Sequence, residues 1–239
     1  MENSKAYDLP VRIFHWAFAL LFVISFSIAK LIDDDSTLYS YHMLSGIIMV
    51  SIVILRVVWG FVGSKTSKFN TFKLRPSEFI TYMKLVISTK SKRYLGHNPA
   101  SSYAAIFMMI FTLGIGFSGL MMSLRINKHF FEEIHELLVN GFIIIVLIHI
   151  AGVLLHQLKH NDGMIFCMFN GKKTKIDGEI DIKSNHPLVA FAFVLFLIGM
   201  GSYLLKNFDR NTGKLNAFGS QLQLGENEHD EHEDDDEES

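Results

Sequence analysis

The sequence predicts an all-α integral membrane fold, a transmembrane bundle of four helices with a fifth transmembrane helix added. Three observations predict it. Hydrophobic residues make up 49% of the 239-residue chain and mean hydropathy is +0.27, values that suit bilayer-crossing segments better than a water-soluble globule. Five apolar runs come close to or exceed the about 20 residues a helix needs to cross ~30 Å of hydrocarbon. The connections between those runs divide their basic residues unequally, as alternating sides of a membrane require.

The runs are Phe14–Ile32, Met43–Val62, Tyr103–Leu124, Leu137–Leu158 and Leu188–Leu205. The first reads as a retained span, because no A-x-A-like cleavage site follows it. The connection 63–102 contains Arg75-Pro76-Ser77-Glu78 and then Phe79, Met83 and Val86 at helical spacing. It predicts a short helix lying in the inner interface, with Lys84, Lys90, Lys92 and Arg93 near the headgroups. Gly96-His97-Asn98-Pro99 stops that helix and opens the third span, in which Gly114, Gly116 and Gly119 permit close helix approach. Asn185-His186-Pro187 introduces the fifth span. The organisation predicted is a transmembrane core over 1–175, a linker and fifth helix over 176–205, and an acidic, disordered tail over 206–239.

With the N-terminus inside, the inner connections hold 15 Lys and Arg and the outer ones six, so the N-terminus is expected in the cytoplasm and the C-terminus in the periplasm. Residues 226–239 hold ten acidic residues and no Lys or Arg. That stretch has no apolar content with which to fold, and outside the membrane its charge would attract a basic soluble redox protein. The overall charge of −2 gives no reason to expect a nucleic-acid partner. One cysteine, Cys167, excludes an internal disulfide, a four-thiolate metal site and covalent c-type haem attachment. Histidine must carry any metal chemistry.

Of 11 histidines, four fall at matching depths. His15 lies at the inner end of the first span, His42 at the outer start of the second, and His135 and His149 share the fourth. The 14 residues from His135 to His149 amount to about 1,400° of helical turn and ~21 Å of rise, so the two rings point within roughly 40° of each other. One helix face thus presents an imidazole towards each side, with His42 opposite one and His15 opposite the other. Two pairs of imidazoles on facing helices suit two six-coordinate haems, whose filled axial positions leave electron transfer as the chemistry. Hydrogen-bonded interfacial histidines and a haem-free proton-relay transporter are the alternatives. His156 competes with His149, but it sits almost at the inner headgroups.

Tyr7-Asp8-Leu9-Pro10-Val11-Arg12-Ile13-Phe14-His15-Trp16 resembles the opening of the bacterial cytochrome b561 family, which includes the cytochrome b subunits of nickel–iron hydrogenases. The resemblance continues through Tyr41-His42-x-x-x-Gly46, Arg56-x-x-Trp59-Gly60-Phe61-x-Gly63 and Tyr94-Leu95-Gly96-His97-Asn98-Pro99. Ile134-His135-Glu136, the pair His149 and His156, and Gly171-Lys172-Lys173 complete it. It implies a di-haem b cytochrome on a four-helix core that exchanges electrons with the quinone pool, and its pattern matches His15, His42, His135 and His149 as axial ligands. The fifth span and the acidic tail depart from the simplest members.

Five further residues are candidate cofactor contacts. Arg12 at the inner face and Arg125 at the outer are placed to meet haem propionates, with snorkelling to the headgroups as the alternative for each. Arg56 lies deeper, needs an acceptor, and has no acidic residue within any apolar run, so a propionate or quinone oxygen is expected beside it, with reach to the inner headgroups as the alternative. His97 and Asn98 stand at the inner boundary where a quinone headgroup needs hydrogen bonds and protons. The reading is a di-haem cytochrome of the bacterial inner membrane, passing electrons between quinone and a periplasmic c-type cytochrome or oxidoreductase subunit. Oxidation of superoxide at the outer haem is the enzymatic alternative.

Overall fold

A computed structural model of the chain describes residues 3–86, 93–176 and 182–224. Its long helices are α1 (Leu9–Leu31), α2 (Ser40–Val62), α4 (Pro99–Ser123), α5 (Lys128–His160) and α7 (Pro187–Asn207), each long and apolar enough to cross a membrane. Local chemistry sets their starts. Asp8 caps α1 by accepting from Val11 N at 3.0 Å, with Pro10 in the first turn. Asn98 caps α4 by accepting from Ser101 N at 2.8 Å, with Pro99 in its first turn, and Pro187 opens α7. Helix α5 has 33 residues, about 50 Å at 1.5 Å each, and outruns the apolar stretch at both ends. Its early start follows a tight turn in which Arg125 and Asn127 both take positive φ, 55° and 43°.

The connection after α2 contains the expected short helix, α3 (Pro76–Val86), which packs on α4. Tyr103 Oη donates to Leu74 O at 2.7 Å at the start of α3, and Lys159 Nζ donates to Val86 O at 2.9 Å at its end. A cation among those last carbonyls complements the helix dipole. Lys90 and Lys92 lie outside the described residues.

The bundle runs α1–α2–α4–α5 by contact, with α7 laid against α1 and α2. A Cβ on Gly116 would collide with the Val50 side chain, and one on Gly114 would stand 3.0 Å from Leu138, so both glycines let α4 approach its neighbours closely. Ile13 and Phe14 of α1, Ile52 and Leu55 of α2, and Phe193 and Leu197 of α7 leave about 10 Å³ between them, at the lower limit of what one water needs. The fifth span is therefore a close-packed flank of the first two, outside the histidine-bearing core. Leu147, Ile148, Leu188 and Phe191 stay exposed on the outer faces, as lipid contact requires.

Small elements close each end. At the end bearing the N-terminus, β1 (Asn3–Lys5) pairs antiparallel with β2 (Lys172–Thr174), Ser4 opposite Lys173, and α6 (Cys167–Asn170) precedes the second strand. Ala6, Tyr7, Val11, Trp59, Leu95 and Cys167 form the apolar cluster there. At the far end, β3 (Phe208–Asp209), β4 (Lys214–Ala217) and β5 (Ser220–Gln223) make an antiparallel sheet in that order. Alternation buries Leu215, Ala217 and Leu222, which with Leu224 pack on Leu44 of α2 and Leu204 of α7. The single tail expected over 206–239 is therefore corrected: residues 208–224 are folded, because this short apolar alternation has a helix end to cover. The acidic stretch 226–239 lies outside the described residues.

Candidate functional site

At the far end, α2 and α5 bring His42 and His135 together edge to face, with ring centroids 6.3 Å apart and planes inclined at 69°. Two imidazoles bonded to opposite faces of one metal, at about 2.0 Å per bond and roughly 1.2 Å from nitrogen to ring centre, have centroids about 6.4 Å apart. The Nδ1 atoms are engaged elsewhere: His42 Nδ1 lies 3.0 Å from Ser25 O, and His135 Nδ1 lies 3.0 Å from Ser118 Oγ. A ring whose Nδ1 is hydrogen-bonded keeps Nε2 for a metal. There is room beside the pair. A Cβ on Gly46, one turn after His42, would meet nothing within 4 Å, and one on Gly119 would stand 3.6 Å from the His135 ring. The donor set fits a haem.

At the N-terminal end, His149 of α5 lies within electrostatic reach of His15 of α1 and of His97. Midway along α5 between the two histidine levels, Phe142 is 2% exposed, its ring 5.2 Å from Phe22 and 6.1 Å from Phe18 of α1. His156 is engaged otherwise. Its Nε2 donates to Asp162 Oδ2 at 3.1 Å, and Lys173 Nζ stands 3.3 Å from the same oxygen, all three side chains being buried. Burial works to raise the Asp162 carboxyl, but the His156 hydrogen bond and the Lys173 charge outweigh it and hold it at about 2.

Arg56 is 4% exposed, and Phe14 and Phe69 flank its guanidinium at 6.0 and 5.5 Å. Nη2 donates to Ser67 O at 3.1 Å, and Ser67 Oγ donates in turn to Asp8 Oδ2 at 2.8 Å. Asp8 is the acidic residue that the apolar runs do not contain. It is fully buried, caps α1, and accepts also from Trp59 Nε1 at 3.1 Å. Arg56 thus has a carboxylate nearby, reached through Ser67, while its Nη1 has no hydrogen-bond partner among the described residues. His97 Nδ1 and Thr66 Oγ1 are buried and likewise without a partner among the described residues. Burial, and then the Arg56 charge, push the His97 imidazole down to about 3. Neutral and bonded to the Thr66 backbone, His97 keeps an Nδ1 lone pair free to accept a hydrogen bond. Three orphaned polar atoms at one end of a bundle suit an oxygen-bearing ligand.

Residues 6–171 match the family described as prokaryotic cytochrome b561. The chain belongs to the prokaryotic cytochrome b561 family. This cytochrome is 24% identical to a probable Ni/Fe-hydrogenase B-type cytochrome subunit of Rhodobacter capsulatus, over 73% of this chain and 83% of that one. It is also 24% identical to the probable Ni/Fe-hydrogenase 1 B-type cytochrome subunit of Escherichia coli K12, over 76% of this chain and 95% of the relative. No solved structure gives a significant match. Membership makes the chain a multi-span b-type cytochrome, an electron carrier using haem b, and sets aside the haem-free transporter.

The remaining sequence candidates in this cytochrome are placed as follows. The Asn98 side-chain oxygen is spent on the α4 cap. Arg12 donates through Nη1 to Phe169 O at the end of α6, with Nε buried and without a partner among the described residues. Arg125 is exposed at the far end, where it lines a cavity of about 320 Å³ with Ser123, Lys214, Gln221 and Gln223. Asp8, Ser25, Ser118 and Asp162 were not singled out by sequence reasoning. For Ser25 and Ser118 a signal exists: each lies 17 residues before its histidine, Ser25 before His42 and Ser118 before His135.

Proposed function

We propose that this cytochrome carries electrons across the bacterial cytoplasmic membrane between the quinone pool and a redox protein on the periplasmic side, using two haems b. His42 and His135 would hold the outer haem, and His15 and His149 the inner. The observation that carries the reading is the 6.3 Å spacing of the His42 and His135 rings with both Nδ1 atoms already hydrogen-bonded. When bound, haem b would supply reversible one-electron transfer. Arg12 and Arg56 would meet propionate or quinone oxygens at the inner end, and Arg125 would do so at the outer.

The quinone end is assigned to His97, with Asn98 fixing its place by capping α4. A neutral imidazole with a free Nδ1 lone pair accepts a hydrogen bond from a quinol hydroxyl, and Arg56 Nη1 offers one to its oxygen. The excess of basic residues on the N-terminal side supports a cytoplasmic position for this end. The relatives' names support a Ni/Fe hydrogenase as the external partner over a c-type cytochrome.

Quinol-driven reduction tests the reading. In proteoliposomes, quinol is expected to reduce both haems. His97→Gln should slow this at least tenfold, while the haem reducible by dithionite stays unchanged. Reduction at the wild-type rate in His97→Gln would remove the quinone role from this residue.

A further inference from the structure

Ser25 of α1 and Ser118 of α4 stand in the same relation to the two outer imidazoles. Ser118 Oγ lies 2.9 Å from Ile115 O and 3.0 Å from His135 Nδ1. A carbonyl only accepts, so the hydroxyl proton goes to Ile115, and Oγ meets His135 with a lone pair. His135 therefore carries its proton on Nδ1. At the other ring, His42 Nδ1 has Ser25 Oγ at 2.9 Å and Ser25 O at 3.0 Å, while that hydroxyl can donate to His42 O at 3.3 Å. The carbonyl again obliges Nδ1 to be the donor. Both rings are held in one tautomer, with bare Nε2 atoms left for the metal.

Serines in membrane helices commonly bond only to a carbonyl one turn back. Ser51, Thr112 and Ser123 do that here, to Ile47, Met108 and Gly119. Ser25 and Ser118 add an imidazole, and they are 7% and 0% exposed, so water does not compete. Among the described residues, neither His15 nor His149 shows such a partner. A ligating histidine that donates its second N–H to an acceptor becomes a stronger donor to its metal. We infer that Ser25 and Ser118 are positioning residues of the outer haem: they orient His42 and His135, strengthen both as ligands, and lower that haem's reduction potential. The inference rests on the assignment of His42 and His135 as ligands.

Redox titration of the holoprotein in liposomes, followed at the b-type absorption bands with low-spin EPR, tests it. Ser118→Ala should keep two haems per chain and raise one midpoint by a three- to tenfold change in the ferric–ferrous ratio, about 30–60 mV for one electron. The other midpoint should stay in place. Ser118→Thr should restore the wild-type value, and Ser25→Ala should shift less, because the Ser25 carbonyl remains. If Ser118→Ala loses haem, the near-isosteric Ser118→Cys, a weaker acceptor, is titrated instead and should show the same upward shift. Unmoved midpoints in whichever of these variants retains both haems would overturn the role of the serines. His135→Ala separates the two failures: loss of one haem keeps the ligand assignment, and retention of both overturns it.

Discussion

Replacing Asp8 tests how the N-terminal end of the bundle is held. The carboxylate accepts from Val11 N at 3.0 Å, Trp59 Nε1 at 3.1 Å and Ser67 Oγ at 2.8 Å, with no exposure. Asp8→Ala removes a helix cap worth about 1 kcal/mol. It also strands the Trp59 N–H in an apolar cluster, at about 1–3 kcal/mol. Ser67 loses less, because Ser64 Oγ remains 2.7 Å away. Arg56 loses the carboxylate reached through Ser67, which moves the total toward the upper end of about 2–4 kcal/mol. Asp8→Asn retains one acceptor for the cap but turns an amide N–H₂ toward two donors, for a cost of about 1–2 kcal/mol. The assay is SDS-driven unfolding of the holoprotein in mixed micelles, run as a double-mutant cycle with Trp59→Phe. The Asp8–Trp59 coupling should be about 1–3 kcal/mol. Asp8→Ala within about 0.5 kcal/mol of wild type, the size of an ordinary surface change, would refute the network.

Further outcomes follow from the same contacts. Gly116→Val should destabilise by about 1–3 kcal/mol through overpacking against Val50, and Val50→Ala should relieve part of it, both read by the same unfolding assay. Asp162 is held at about 2 against an ordinary 3.8, so its contribution is present above about pH 4 and is lost as pH falls from there toward 2. The pH dependence of unfolding checks that window. Lys173→Met should cost about 3–5 kcal/mol by leaving the Asp162 carboxylate buried without its cation, and adding Asp162→Asn should recover most of it.

The spans were legible because hydrocarbon-crossing helices need long apolar runs, and their starts because Pro10, Pro99 and Pro187 fit a first helical turn. The short helix after Pro76 showed in the spacing of Phe79, Met83 and Val86. The facing of His42 and His135 followed from depth and helical period, two quantities a sequence carries directly. Contacts between distant polar residues did not follow. Asp8 looks like one more charge in a polar N-terminus until Trp59 and Ser67, 51 and 59 residues away, close over it. The far-end sheet was obscured by the adjoining acidic run. Its signal, Leu215, Ala217, Leu222 and Leu224 around the glycine turn at Gly219, is too short to stand without the helix ends it covers. The early start of α5 was hidden because Glu132, Glu133 and Glu136 dilute its first turns.

Haem stoichiometry across single histidine replacements tests the central claim most directly. His42→Ala and His135→Ala should each lose one haem, the same spectral and redox component. His15→Ala and His149→Ala should each lose the other, and His156→Ala should keep both. A full complement of two haems after any of the first four replacements, or a loss in His156→Ala, would contradict the account.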